Sequence, residues 1–77
     1  MIRVFSTPSC PYCVTLKEFL KKYNFTFEDI NVAADVQARE EMITKSQQMG
    51  VPVIEIDGQM IVGFDKKKIV QLLNIKE

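Results

Sequence analysis

Histidine and tryptophan are absent from this chain, cysteine occurs only twice, and glycine and proline three times each. Without a histidine or a third cysteine, a four-ligand zinc site cannot close within one copy of the chain. Lys plus Arg number ten and Asp plus Glu also ten, which leaves no net charge. That balance argues against a nucleic-acid partner. No apolar run approaches the ~18 residues that read as a membrane span. Met1 to Phe5 leads directly into fold-forming sequence with no signal peptide. The expected compartment is therefore the cytoplasm, with no membrane partner. Repeats, linkers and low-complexity tracts are missing too. Seventy-seven residues give room for one domain, 1–77, near the size at which a single core is only just sufficient. At 47% hydrophobic and 26% charged the composition is that of an ordinary soluble globule, so the chemistry has to be sought in a local motif.

That motif is Ser9-Cys10-Pro11-Tyr12-Cys13, which contains both cysteines. In a reducing compartment a C-x-x-C pair is better explained as redox-active or metal-binding than as a structural staple. With Cys10 as helix N-cap, Pro11 suits the first helical position, because its φ is already helical and its missing N–H had no partner there. Cys10 then faces the open amides of the first turn. Those amides and the positive end of the helix dipole favour a thiolate over a thiol. Cys13, three residues on, lies on the same helical face, so one sulfur sits at the helix tip and the other a turn deeper. An attacking and a resolving thiol need that arrangement, and a stabilised thiolate gains most as a leaving group from a mixed disulfide. Left open by the residues alone are a local disulfide and half of a metal site, the latter completed only if two chains supply four cysteines to a metal or an iron–sulfur cluster.

Around the motif, Ile2 to Phe5 reads as a strand and Ser6 to Ser9 as a turn. From Pro11 to about Tyr23, Leu16, Phe19, Leu20 and Tyr23 recur at i, i+3, i+4, i+7 and predict an amphipathic helix. Thr26 to Val32 alternates as a second strand, and Asp35 can cap a helix running to about Gln48 with a thin stripe of Val36, Met42 and Ile43. Val51 to Ile56, the Asp57-Gly58 turn and Gln59 to Val62 predict a hairpin. Asp65 is placed to cap a last helix burying Ile69, Leu72 and Leu73. The order β-α-β-α-β-β-α, with a right-handed first crossover, implies an α/β fold in which a four-stranded mixed sheet carries three helices.

Cys10-Pro11-Tyr12-Cys13 after a first strand, Gly50-Val51-Pro52 before a hairpin and Gly63-Phe64-Asp65 before the last helix together resemble a dithiol glutaredoxin, over essentially the whole chain. Arg39-Glu40-Glu41-Met42 is similar to bacterial members. The resemblance implies a thioredoxin-like fold that reduces protein disulfides and glutathione mixed disulfides as a monomer. Glutathione would be the reducing co-substrate, with no tightly bound cofactor and no metal. It also implies a cis Val51-Pro52 bond, with the Val51 main chain binding the cysteinyl part of glutathione. Phe64 and Asp65 would receive the γ-glutamyl end and Arg39 the glycine carboxylate. Tyr12 would shield the bound substrate, or be only the exposed second residue of its helix. The chain departs from the pattern at Thr7, where many glutaredoxins have Lys, at Gly50 in place of Thr, at Val62-Gly63 in place of Gly-Gly, and at Lys66 in place of a second Asp. Thr7 and Gly63-Phe64 resemble the small redoxins that serve ribonucleotide reductase and are reduced by thioredoxin reductase.

Overall fold

Alternation along the first strand decides how the layers assemble. The computed structural model describes residues 1–76. In chain order the elements are β1 (Ile2–Ser6), α1 (Pro11–Lys22), β2 (Glu28–Asn31), α2 (Val36–Ser46), β3 (Val53–Ile56), β4 (Gln59–Val62) and α3 (Lys66–Leu73). The strands form one sheet in the order β2-β1-β3-β4. β1 runs parallel to β2, with Phe5 opposite Ile30, and antiparallel to β3, with Val4 opposite Ile54 and Phe5 opposite Val53. Since successive side chains point to opposite faces, Ile2 and Val4 join Ile54, Ile56, Ile61, Leu16, Leu20 and Ile69 in one cluster beneath α1 and α3. Phe5 and Val53 join Val32 and Met42 in the other, beneath α2. Each fully buried Leu or Ile contributes ~1.5–3 kcal/mol, so the larger cluster under α1 and α3 supplies most of the hydrophobic stabilisation.

The α2 face is completed by charge. Arg3 stands opposite Glu55 across the β1–β3 pair and is ion-paired with it. Its guanidinium also reaches Glu41 of α2 at 2.7 Å, and Lys45 joins Glu41 at 2.8 Å and Glu55 at 3.3 Å. The hydrogen bonds from Arg3, and then from Lys45, draw the Glu41 carboxyl down to about 2. Glu41 in turn does most to raise the Arg3 pKa. The guanidinium also lies 5.2 Å from the centre of the Phe5 ring.

Two residues assigned to the core are exposed. Val36 is 60% exposed and Leu72 42%. At 3.6 residues per turn, Val36 points about 120° away from Met42, and the line of α2 that packs on the core is instead buried Met42 with half-buried Ala38 and Ile43. Leu72 lies on the flank of the Ile69–Leu73 line, whereas Leu73 packs against the core. β2 is shorter than the Thr26–Val32 alternation suggests, because as an edge strand it pairs with β1 only over Glu28 to Asn31. β3 begins after Pro52, not at Val51, and α2 stops at Ser46, where Gln47 takes a left-handed φ of 59°. The Asp57-Gly58 turn forms as expected: φ is positive at both residues, 47° and 89°, the mirror-image turn that suits a two-residue hairpin. Among the described residues no helix is long and apolar enough to cross a membrane.

Candidate active site

The C-terminal ends of β1, β2 and β4 and the start of β3 lie at one end of the sheet, because β3 alone runs against the other three. All the residues singled out from the sequence leave or enter the sheet at that end. β1 ends at Ser6, and the loop that follows delivers Cys10 as N-cap of α1, with φ −95° and ψ 111°, ahead of Pro11. The Cys10 carbonyl accepts from Val14 N–H at 3.3 Å, and its Sγ accepts from Cys13 N–H at 3.2 Å. Cys10 is partly exposed and Cys13 is buried, both as free thiols.

Burial pushes the Cys13 thiol up to about 11, helped by its hydrogen bond to Cys10 and opposed by the Thr7 backbone N–H and the Lys17 charge. Lys17 lies one turn after Cys13 and pairs with Asp29 of β2 at 3.0 Å. Asp29 also accepts from Ser6 Oγ at 3.0 Å, and Ser6, Thr7, Pro8, Lys17, Asp29 and Asn31 line a cleft of about 270 Å³. Sequence reasoning passed over Lys17 and Asp29. The i+4 spacing from Cys13 was a usable signal for Lys17, but Asp29 arrives only through the β1–β2 register.

The Val51-Pro52 bond is cis. Pro52 C=O accepts from Gly63 N–H at 2.8 Å, which joins this loop to the Gly63-Phe64-Asp65 segment. Val51 N–H and C=O have no hydrogen-bond partner among the described residues. Phe64 packs edge-on against Phe19 of α1, centroids 5.5 Å apart, and the Asp65 carboxylate caps α3 by accepting from Lys68 N–H at 3.2 Å. Tyr12 is 69% exposed at the start of α1. Arg39 lies in the first turn of α2, exposed, its N–H bonded to Asp35 C=O at 3.0 Å. The structure thus joins Cys10 with Cys13 and Pro52 with the Phe64-Asp65 segment. Arg39 and Tyr12 share that end of the fold but make no side-chain hydrogen bond or ion pair among the described residues. No group of three or more His, Cys, Asp or Glu that could hold a metal occurs among the described residues.

A thioredoxin-like sheet that presents one accessible and one buried thiol at the first turn of a helix defines a thiol redox protein. The chain belongs to the glutaredoxin family, whose model matches residues 2–61. It is 55% identical over 73 residues to an uncharacterized glutaredoxin-like 8.6 kDa protein from the rubredoxin operon of Clostridium pasteurianum, covering 95% of this chain and 97% of that one. Glutaredoxin 3 of Escherichia coli K12 is 34% identical over 64 residues, covering 83% and 77% of the two chains. Among solved structures, a mutant form of the thioredoxin-like protein BC3987 superposes with a TM-score of 0.92 at 40% identity, over 97% of this chain and 96% of that one.

Proposed function

We propose that the protein is a cytoplasmic, monomeric disulfide reductase of glutaredoxin type. It reduces protein disulfides and glutathionylated proteins through Cys10 and Cys13, with glutathione as reducing co-substrate and no tightly bound cofactor. The observation that carries the reading is the inequality of the two thiols: Cys10 is reachable and takes an N–H bond on sulfur, whereas Cys13 is buried and holds its proton up to about 11. Cys10 is therefore the attacking sulfur. Its thiolate bonds to one sulfur of the substrate disulfide while that S–S bond breaks and the other half departs as thiolate. With a protein disulfide, Cys13 then loses its proton and attacks Cys10. The Cys10–Cys13 disulfide forms, the second substrate thiol leaves, and two glutathione molecules reopen the pair, themselves becoming oxidised glutathione. With a glutathionylated protein, Cys10 takes the glutathione and a second glutathione removes it.

In this reading the open Val51 peptide binds the cysteinyl part of glutathione. The start of α3 at Phe64 and Asp65 meets the γ-glutamyl carboxylate, and the Asp65 carboxylate meets the ammonium. Arg39 faces the glycine carboxylate and Tyr12 flanks the bound sulfur. A second reading, a hydrogen donor for ribonucleotide reductase recharged by thioredoxin reductase, is favoured by Thr7 and Phe64 and opposed by Arg39 and Asp65. Offering the oxidised protein either glutathione with glutathione reductase or thioredoxin reductase alone, and following NADPH consumption, separates the two. NADPH consumed through glutathione and glutathione reductase supports the first reading; reduction by thioredoxin reductase alone overturns it in favour of the second. Under both, Cys10→Ser abolishes turnover. Cys13→Ser keeps deglutathionylation and loses protein-disulfide reduction, and full protein-disulfide activity in that variant contradicts the dithiol step.

A further inference from the structure

The segment between α2 and Pro52 is held by one side chain. After Gln47 turns the chain out of α2, the Gln48 carboxamide folds over Gly50: Gly50 N–H donates to Gln48 Oε1 at 2.6 Å, and Gln48 Nε2 donates to Gly50 C=O at 3.0 Å. Ser46 Oγ, at the end of α2, braces the same side chain. It accepts from Gln48 Nε2 at 3.2 Å, while its own proton goes to Met42 C=O, one turn back in α2, at 2.5 Å. The carboxamide also fills the space beside Gly50, where a β-carbon would meet Gln48 Oε1 at 2.8 Å. Just beyond the clamp Pro52 C=O is taken by Gly63 N–H. The Val51 peptide groups, with no partner among the described residues, are therefore bracketed by two fixed neighbours.

We infer that Gln48 is a positioning residue: by pairing both main-chain groups of Gly50 it fixes the open Val51 main chain in the orientation that receives an extended peptidyl substrate beside Cys10. The inference rests on the redox reading above. A freely rotating Gly50 would have to be ordered each time substrate bound, at a cost in backbone entropy. With the clamp in place that ordering is already complete before substrate arrives. A β-carbon at position 50 would push the carboxamide out of this place.

The test uses single-turnover cleavage, by the fully reduced protein, of a short cysteinyl peptide disulfide-linked to a chromogenic thiol. Gln48→Ala raises the half-saturating peptide concentration about tenfold, the scale of ordering one residue's backbone on binding, and leaves the limiting rate unchanged. Iodoacetamide labelling of Cys10, which needs no Val51 contact, also stays unchanged, while amide exchange at Gly50 quickens. Gly50→Ala, which evicts Gln48 by a separate route, gives the same pattern, and the double variant is no worse than either single one. A half-saturation unchanged in both variants overturns the inference. So does a parallel fall in Cys10 labelling, which marks general disruption. A wild-type protein that leaves the peptide disulfide intact overturns the redox reading and the inference with it; intact wild-type cleavage with unaltered variants overturns the inference alone.

Discussion

Consider the reduced protein with Cys10 replaced by serine, so that Cys13 is the only thiol. A thiol ionising at 9.0 is about one part in a hundred thiolate at pH 7, and one at about 11 is about one part in ten thousand. Burial, the largest cause of that rise, survives the substitution, whereas the hydrogen bond to Cys10 and the Cys10 charge go with the sulfur, so about 11 is the ceiling for the variant. At that ceiling a hundredfold fewer thiolates, offset about 6–10-fold by the greater nucleophilicity of a more basic sulfur, leave Cys13 up to about tenfold slower than a free thiol, before the closed surroundings limit access. Iodoacetamide labelling followed by intact mass should show a deficit at pH 7, with a rate that still climbs above pH 9. Linkage requires a matching loss of stability. The folded state keeps the Cys13 proton where the unfolded state has shed it, so the stabilisation is complete below pH 9 and disappears as pH rises from 9 to about 11. Thermal melts of the reduced wild type should therefore drop across that window more steeply than those of Cys13→Ala. Labelling of Cys13 as fast as a free thiol, with a midpoint near 9, would refute the division of roles between the two sulfurs.

The charged cluster on the α2 face makes a prediction of opposite sign. The Glu41 carboxyl is held down to about 2, so its contribution is present above about pH 4.5 and is lost as pH falls toward 2. Glu41→Gln should flatten the acid limb of melting temperature against pH, modestly because the side chain is 34% exposed; parallel limbs in the two proteins would remove the cluster from the stability argument. In the core, Leu20→Ala should cost ~2–5 kcal/mol in urea unfolding, since Leu20 is fully buried. Leu72→Ala, at a 42% exposed position, should cost under ~1 kcal/mol. Equal losses would restore Leu72 to the core.

Features closed by a few neighbouring residues were legible in the sequence. Cys10 and Pro11 define the start of α1 by their own φ preferences and missing donor, Asp65 caps α3 from three residues away, and Asp57-Gly58 closes its hairpin with the backbone that this dipeptide favours. Periodicity alone placed Val36 and Leu72 inside, because it detects a helix more readily than it fixes which edge of the stripe meets the sheet. Arg3 reads as an unremarkable strand charge until the register sets it against Glu55 and brings Glu41 over it.

The same distinction runs through the site. The order of the two sulfurs follows from one turn of helix, and so the C-x-x-C spacing already contains it. What surrounds them follows from spacing only for Lys17, one turn on from Cys13; the Thr7 N–H reaches Cys13 from a loop, and Asp29 holds Lys17 from an edge strand, placements that belong to the whole sheet. The Gln48 clamp lies between these extremes. Its atoms span only two residues, 48 to 50, yet it exists because Gln47 turns out of α2 and Ser46 braces the carboxamide. Glycine at position 50 was visible in the sequence as a departure from the family pattern. In the structure it is what lets the carboxamide sit where it does, because Gln48 Oε1 stands 2.8 Å from where a β-carbon would be. Glycine there and glutamine two positions earlier are therefore one feature, and a substitution at either should be read through its effect on the other.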